Sequence, residues 1–189
     1  RRQETIGDID ILVMAQKPGP VMDAFVRMPE METVLARGPT KSMVRLKSGI
    51  QCDVRVVPEE SYGAALQYFT GDKSHNVELR KVAIDNKMKL NEYGVFRTAE
   101  QLDSRTAGQQ NNRTARRVAG RTEEEVYQAL GLRWMEPELR TASGELDAAR
   151  TGKLPKLIKY GALKGDLQVQ SNWTDGNKSI EEMARAAQK

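Results

Sequence analysis

Histidine, cysteine and long apolar runs are scarce in this chain of 189 residues. The single cysteine, Cys52, excludes an internal disulfide and is typical of a reducing compartment. The single histidine, His75, excludes a metal site built from several imidazoles. No apolar run approaches the roughly 18 residues that a membrane span requires, and the first residues lack a signal-peptide pattern. These absences favour a cytoplasmic protein with no membrane association.

Apolar and charged residues are balanced in the rest of the chain. Hydrophobic residues make up 39% of it, which is enough for a core, and charged residues make up 30%, which predicts good solubility. The net charge of +4 is compatible with binding a phosphate backbone but does not establish it. Several arginines fall within one polar stretch: Arg105, Arg113, Arg116, Arg117 and Arg121.

Two aspartates stand at the head of an apolar run. The sequence Gly-Asp-Ile-Asp at 7–10 precedes the apolar residues 11–14, which read as a buried strand. Asp8 and Asp10 point to the same face, because strand side chains alternate. Their mutual repulsion would be relieved by a divalent cation, and Mg²⁺ prefers such oxygen ligands. The alternative is a solvated strand start with two incidental acids.

A third carboxylate lies on a second predicted strand pair. Residues 43–46 and 50–57 flank a turn at Ser48-Gly49, so the two strands are expected to be antiparallel neighbours. Asp53 lies on the opposite face from the apolar residues of its strand and could complete the cluster. Two metals held by three carboxylates can activate a hydroxyl and stabilise a leaving pyrophosphate. Alternatively, Asp53 is simply paired with Arg55 or Arg45.

Five segments of the chain resemble motifs of a known protein family and occur in the same order as in that family. They are 1–13, 53–58, 68–76 together with Arg80, 91–94, and 165–176. They resemble the palm, thumb and PHP-domain opening of bacterial and archaeal family X DNA polymerases, the group that includes polymerase beta. The resemblance implies an α+β fold with a nucleotidyltransferase-type palm on a mixed β-sheet, a small α/β thumb and a truncated start of a PHP domain. The implied boundaries are 1–58 for the palm, 59–141 for the thumb with a polar insertion at 98–118, 142–164 for a linker, and 165–189 for the PHP start.

The activity implied by the resemblance is DNA-directed DNA polymerisation in gap-filling repair. A deoxynucleotide from a deoxynucleoside triphosphate (dNTP) would be added to a primer 3′-hydroxyl with the help of two Mg²⁺ or Mn²⁺ ions. The binding partners would be dNTP and gapped or primer–template DNA. We expect a monomer. One alternative is a non-catalytic module that binds DNA and nucleotide, because the Gly-Ser and the helices that normally precede the arginine motif are not in this sequence. Another is a PHP phosphoesterase, which is disfavoured because Gln168 and Gln170 replace the expected histidines.

Site residues carry over from the family position by position. Asp8 and Asp10 match the aspartates that bind both metals, and Asp53 matches the one that binds the catalytic metal beside the primer hydroxyl. Counting back from Asp8 without a gap, Arg1 matches an arginine that contacts the triphosphate, whereas a one-residue gap would give that role to Arg2. Gly7 matches a backbone contact to the triphosphate.

The thumb side supplies the remaining matches. Tyr68, Phe69 and Gly71 match a cis-peptide turn against the sugar. Asn76 matches a minor-groove contact to the incoming base, and Arg80 matches a template contact. Glu92 matches a residue that pairs with the position of Arg55 when the site closes. Both are expected, with Arg80, in the DNA-binding part of the site.

Local patterns predict most of the secondary structure. Thr122 is predicted to be a helix N-cap because acidic residues follow it. Residues 98–117 are predicted to form a polar loop. The side chain of His75 is expected to cap a backbone group or to face DNA. A functional alternative for the loop is that its arginines follow DNA phosphates. Helices are predicted over 20–27, 59–69, 74–87 and 179–187, and strands over 34–37 and 42–46, with a hairpin around Gly94.

Overall fold

The computed structural model describes residues 1–97, 116–159, 161–165 and 168–188. The chain forms two units, Arg1–Leu154 and Pro155–Lys189. Among the described residues, no helix has the length and apolarity needed to cross a membrane.

The first unit begins with helix α1, Pro18–Phe25, and four strands, which are β1 Asp8–Met14, β2 Met31–Arg37, β3 Lys41–Leu46 and β4 Gln51–Val57. The strands form a mixed sheet of order β1-β4-β3-β2. Strand β1 runs parallel to β4, whereas the β4–β3 and β3–β2 pairs are antiparallel, as predicted for β3 and β4. Helix α1 packs on one face of the sheet through Met22 and Phe25, over Val44, Cys52 and Val54.

The prediction that β1 is buried is wrong. Within the described sheet β1 is an edge strand that pairs only with β4, so its outer side chains lack a covering layer. Ile11 and Met14 are exposed, at 38% and 53%. The aspartates that head the strand therefore lie at an accessible edge.

A second sheet, made of strands β5 Met88–Asn91, β6 Gly94–Arg97 and β7 Arg116–Ala119, follows the first and has flanking helices. The predicted hairpin around Gly94 is formed by β5 and β6, and β7 pairs with β6. Residues 98–115 of the predicted polar loop lie outside the described residues, but Arg116 and Arg117 belong to β7 and not to a loop. The flanking helices are α2 Tyr62–Thr70, α3 Lys73–Asp85, α4 Glu123–Ala129 and α5 Glu145–Thr151.

Helices α2 and α4 meet through small residues. Gly63 lies directly against the backbone of Thr122, the residue that caps α4 by accepting a hydrogen bond from Glu125 N at 3.2 Å. The N-cap prediction for Thr122 is confirmed. The buried positions of α2 include Gly63 and Ala64, whereas Leu66 is 36% exposed. The packing of α2 therefore depends more on the close approach of its backbone to the start of α4 than on large apolar side chains.

Two buried polar groups tie the second half of this unit together. Arg140 is fully buried and donates to both carboxylate oxygens of Glu123, at 2.6 and 2.9 Å. His75 is also fully buried, with Nδ1 2.6 Å from Glu145 Oε1 and Nε2 2.9 Å from the Tyr127 hydroxyl. Burial lowers the pKa of His75, so the neutral ring donates to Glu145 and accepts from Tyr127.

The DNA-facing prediction for His75 is therefore wrong, because its ring is enclosed by protein. The contact with Glu145 also brings α5, which forms within the predicted linker, onto α3.

The second unit contains helix α6, Ile180–Ala187. Its start is a capping box, in which the Ser179 side chain accepts from Glu182 N and the Glu182 carboxylate accepts from Ser179 N. The predicted helix over 179–187 is confirmed.

Candidate active site

The three aspartates meet at the edge of the first sheet. In the β1–β4 register Asp10 lies directly opposite Asp53, and Asp8 lies opposite Gln51. Opposed residues of parallel strands point to the same face, and residues two apart share a face. The fold therefore places Asp8, Asp10 and Asp53 on one face, away from α1.

Asp10 lies within the electrostatic influence of the other two aspartates. The pKa of Asp10 is raised, first by partial burial and then by the negative charges of Asp8 and Asp53. The positive charges of Lys41 and Arg55 oppose this effect. A set of hard oxygen donors whose charges repel is chemically suited to a divalent cation such as Mg²⁺ or Mn²⁺.

Asp53 is held by two neighbouring side chains. Lys41 Nζ lies 3.1 Å from Asp53 Oδ2, and Gln51 Nε2 donates to Asp53 Oδ1 at 3.1 Å. Within the described ranges, no three acidic, histidine or cysteine side chains stand where they could hold one metal ion. The carboxylate oxygens are therefore suitable ligands for a divalent cation, but the three side chains are not arranged around one common ion position.

Lys41 is a neighbour of Asp53 that the sequence patterns missed. The ion partner of Asp53 is Lys41, in place of Arg55 or Arg45 as considered from the sequence. Lys41 pairs with Arg55 across the β3–β4 ladder and Met43 with Asp53, so Lys41 reaches Asp53 diagonally. The antiparallel pairing of β3 and β4 was predicted from the sequence. The diagonal position of Lys41 relative to Asp53 in that pairing was the signal that could have identified Lys41.

Arg55 links the first sheet to the second. Its Nη1 lies 3.8 Å from Glu92 Oε1, and its guanidinium lies 5.1 Å from the centre of the Phe69 ring. The Arg55–Glu92 pair implied by the family resemblance is thus present. It fixes the β5–β6 turn next to the carboxylate edge.

The end of α2 forms an aromatic turn. Tyr68 and Phe69 contact edge to face, with ring centres 5.1 Å apart, and the Arg80 guanidinium lies 5.3 Å from the Tyr68 ring centre. Gly71 has φ +70°, which favours glycine, and the Gly71–Asp72 peptide bond is cis, at the turn where the resemblance implies one.

Asn76 organises this turn from α3. Its Nδ2 donates to the Tyr68 carbonyl at 2.7 Å, and its Oδ1 accepts from Gln67 Nε2 at 2.7 Å. The amide is therefore engaged with the protein at the position where a base contact was predicted.

An open cleft of about 490 Å³ lies beside the aspartates. Its lining includes Arg1, Gly7, Asp8, Asp10 and Phe69. The cleft thus brings the residues predicted to bind the triphosphate next to two of the predicted metal ligands. Tyr68, Gly71 and Asn76 are not part of its lining.

The guanidinium of Arg1 has a carboxylate partner. Arg1 Nη1 lies 3.5 Å from Asp72 Oδ2, and both side chains are less than a third exposed. The other oxygen of Asp72 caps α3 by accepting from His75 N at 2.8 Å.

Comparison with known proteins finds related DNA polymerases. The family model described as DNA polymerase beta thumb matches residues 65–141. The DNA polymerase/3′-5′ exonuclease PolX of Bacillus subtilis (strain 168) is 33% identical over 188 residues, which is 98% of this chain. These matches support the assignment of the chain to the family X DNA polymerases. It spans 30% of the length of that curated relative.

Solved structures of family X polymerases share the fold. The ternary P/T complex of Leishmania infantum polymerase beta is 27% identical, with a TM-score of 0.58 over 74% of this chain and 63% of that one. The ternary gap complex of the same protein is 26% identical, with a TM-score of 0.57 over 74% of this chain and 58% of that one. The mixed α+β fold predicted from the sequence is confirmed.

Proposed function

We propose that this family X chain carries the catalytic edge of the palm, and the thumb, of a DNA-directed DNA polymerase. The reaction would transfer a deoxynucleotide to a primer 3′-hydroxyl during gap-filling repair, on gapped or primer–template DNA, by a monomeric cytoplasmic protein. The observation that carries this proposal is the register that sets Asp10 opposite Asp53, beside a cleft lined by Arg1 and Gly7.

The three aspartates at the β1–β4 edge, Asp8, Asp10 and Asp53, would have separate roles in catalysis. Asp8 and Asp10 would hold two divalent cations, and Asp53 would hold one of them beside the primer hydroxyl. When bound, the cations would lower the pKa of that hydroxyl and neutralise the leaving pyrophosphate. Arg1 and the backbone of Gly7 would hold the triphosphate from the cleft.

The aromatic turn and the thumb would position the substrates. Tyr68, Phe69 and Gly71 would lie against the nucleotide sugar, with Asn76 near the incoming base and Arg80 near the template. The Arg55–Glu92 pair would hold the thumb against the palm and keep the Arg55 guanidinium off the aspartates.

Primer extension on a duplex with a one-nucleotide gap tests the proposal. The chain and an N-terminally extended version should be assayed with Mg²⁺ or Mn²⁺ and all four dNTPs, with a chelator as the control. We expect template-directed addition that the chelator abolishes. Binding of DNA and dNTP without any addition by either protein would favour the non-catalytic DNA-binding alternative.

The turn at Tyr68 makes a prediction about sugar selection. If the sugar lies against Tyr68, a 2′-hydroxyl has little room there, so Tyr68→Ala should lower the preference for dNTP over rNTP by about tenfold. Overall dNTP incorporation should fall less. The ratio of kcat/KM for the two sugars measures the effect, and Tyr62→Ala at the other end of α2 is the control. A lowered melting temperature with an unchanged ratio would show that Tyr68 only packs the hinge.

The Arg1–Asp72 pair makes a prediction about triphosphate affinity. The triphosphate must compete with Asp72 for Arg1, so Asp72→Asn should tighten dNTP binding by about two- to fivefold. Asparagine caps a helix as well as aspartate, so α3 should be retained. Fluorescence titration of dNTP measures the change, and Asp72→Glu, which keeps the charge, should not show it. Weaker or equal binding to Asp72→Asn would contradict a triphosphate role for Arg1.

A further inference from the structure

Lys41 forms an ion pair with the carboxylate of Asp53, the group that would bind the catalytic cation. Its ammonium lies 3.1 Å from Asp53 Oδ2, while Gln51 takes Oδ1, so each oxygen of Asp53 already has a partner. The Asp53 side chain is only 14% exposed, which shields this ion pair from solvent more than a surface pair. A small cavity lined by Asp10, Lys41, Asp53 and Arg55 adjoins the pair.

The same lysine offsets the repulsion within the cluster. Lys41 Nζ lies 3.1 Å from Asp53 Oδ2, and Asp53 lies opposite Asp10 in the β1–β4 register, so the positive charge stands beside the carboxylate cluster. Three neighbouring carboxylates without a cation repel one another, so a nearby positive charge stabilises the arrangement. The Lys41 side chain is 42% exposed and can move into solvent without disturbing the core.

We propose that Lys41 is a built-in counter-ion of the carboxylate site, which competes with a divalent cation for Asp53 and leaves it when the cation binds. This inference rests on the proposed function, because it takes Asp53 as a ligand of that cation. It explains why the donors have the chemistry of a metal site without being closed around one ion. Lys41 is thus a positioning residue, which sets how readily Asp53 becomes a ligand.

Mn²⁺ titration followed by electron paramagnetic resonance tests this inference without DNA, nucleotide or turnover. Lys41→Gln removes the competing charge and should tighten Mn²⁺ binding by about three- to tenfold. Lys41→Arg keeps the charge and should bind Mn²⁺ as the wild type does. The matched control is Lys81→Gln, which breaks a lysine–carboxylate pair with Glu78 on α3 and should change nothing.

A second measurement uses the unmodified chain. The Cε resonance of Lys41 should shift as Mg²⁺ is added and level off as the site fills, while that of Lys81 stays constant. Unchanged Mn²⁺ affinity in Lys41→Gln, or a Lys41 resonance that does not respond to Mg²⁺, would overturn the inference.

Asp53→Asn separates this inference from the proposed function. If Asp53→Asn weakens Mn²⁺ binding but Lys41→Gln has no effect, only the role of Lys41 fails. If neither substitution alters Mn²⁺ binding, the metal site fails, and the inference fails with it.

Discussion

Asp53→Ala is expected to lower the rate of primer extension by at least about a hundred- to a thousandfold, with a much smaller loss of nucleotide affinity. Asp53 would act on the primer hydroxyl as its charge develops, so its contribution belongs to the transition state more than to binding. Its backbone pairs with Asp10 and Met43 on either side, and these strand contacts do not depend on the carboxylate. The fold should therefore be retained.

Single-turnover extension on gapped DNA by an extension-competent chain measures this effect, and circular dichroism checks the fold. The matched control is Asp85→Ala, which removes an exposed carboxylate at the end of α3 and should leave the rate unchanged. Extension that survives Asp53→Ala would show that the carboxylate edge is not the catalytic centre.

Gly63→Ala is expected to destabilise the first unit by about 3 kcal/mol or more. A Cβ at Gly63 would lie 2.1 Å from the carbonyl carbon of Thr122 and 2.2 Å from its Cα. Neither backbone can move freely, because Gly63 N donates to Arg121 O and Ala64 N donates to Gly120 O, both at 3.0 Å. Relief of the clash would therefore displace α4 from α2.

Urea denaturation of the two proteins measures the loss of stability. Gly165→Ala makes the same chemical change at a position where, apart from the chain neighbours, no atom of the described residues lies within 4 Å of the new methyl group, so stability should be nearly unchanged. Equal stability of Gly63→Ala and the wild type would contradict the close packing of α2 on α4.

The parts of the fold that follow from local rules were predictable. The alternation of apolar and polar residues places Asp53 on the face opposite Cys52 and Val54, which are buried as expected. The i, i+2 spacing of Asp8 and Asp10 puts both on one face of whichever strand they head. Thr122 followed by acids specifies the start of α4 without reference to the rest of the chain.

Features that depend on distant contacts were not predictable in the same way. His75 looked polar and exposed, but its ring is enclosed because Glu145, seventy positions later, meets it in the core. The packing of α2 depends on how closely α4 approaches Gly63, which the hydrophobic pattern of α2 does not encode. Lys41 reaches Asp53 only in one strand register, so no short motif contains the pair.

The most direct test of the carboxylate site is anomalous diffraction from crystals grown with Mn²⁺, gapped DNA and a non-hydrolysable dNTP analogue. We expect two manganese peaks at the β1–β4 edge, bound by oxygens of Asp8, Asp10 and Asp53, with the Lys41 ammonium displaced from Asp53. Manganese bound elsewhere, with Asp53 still paired to Lys41, would contradict the proposed catalytic site.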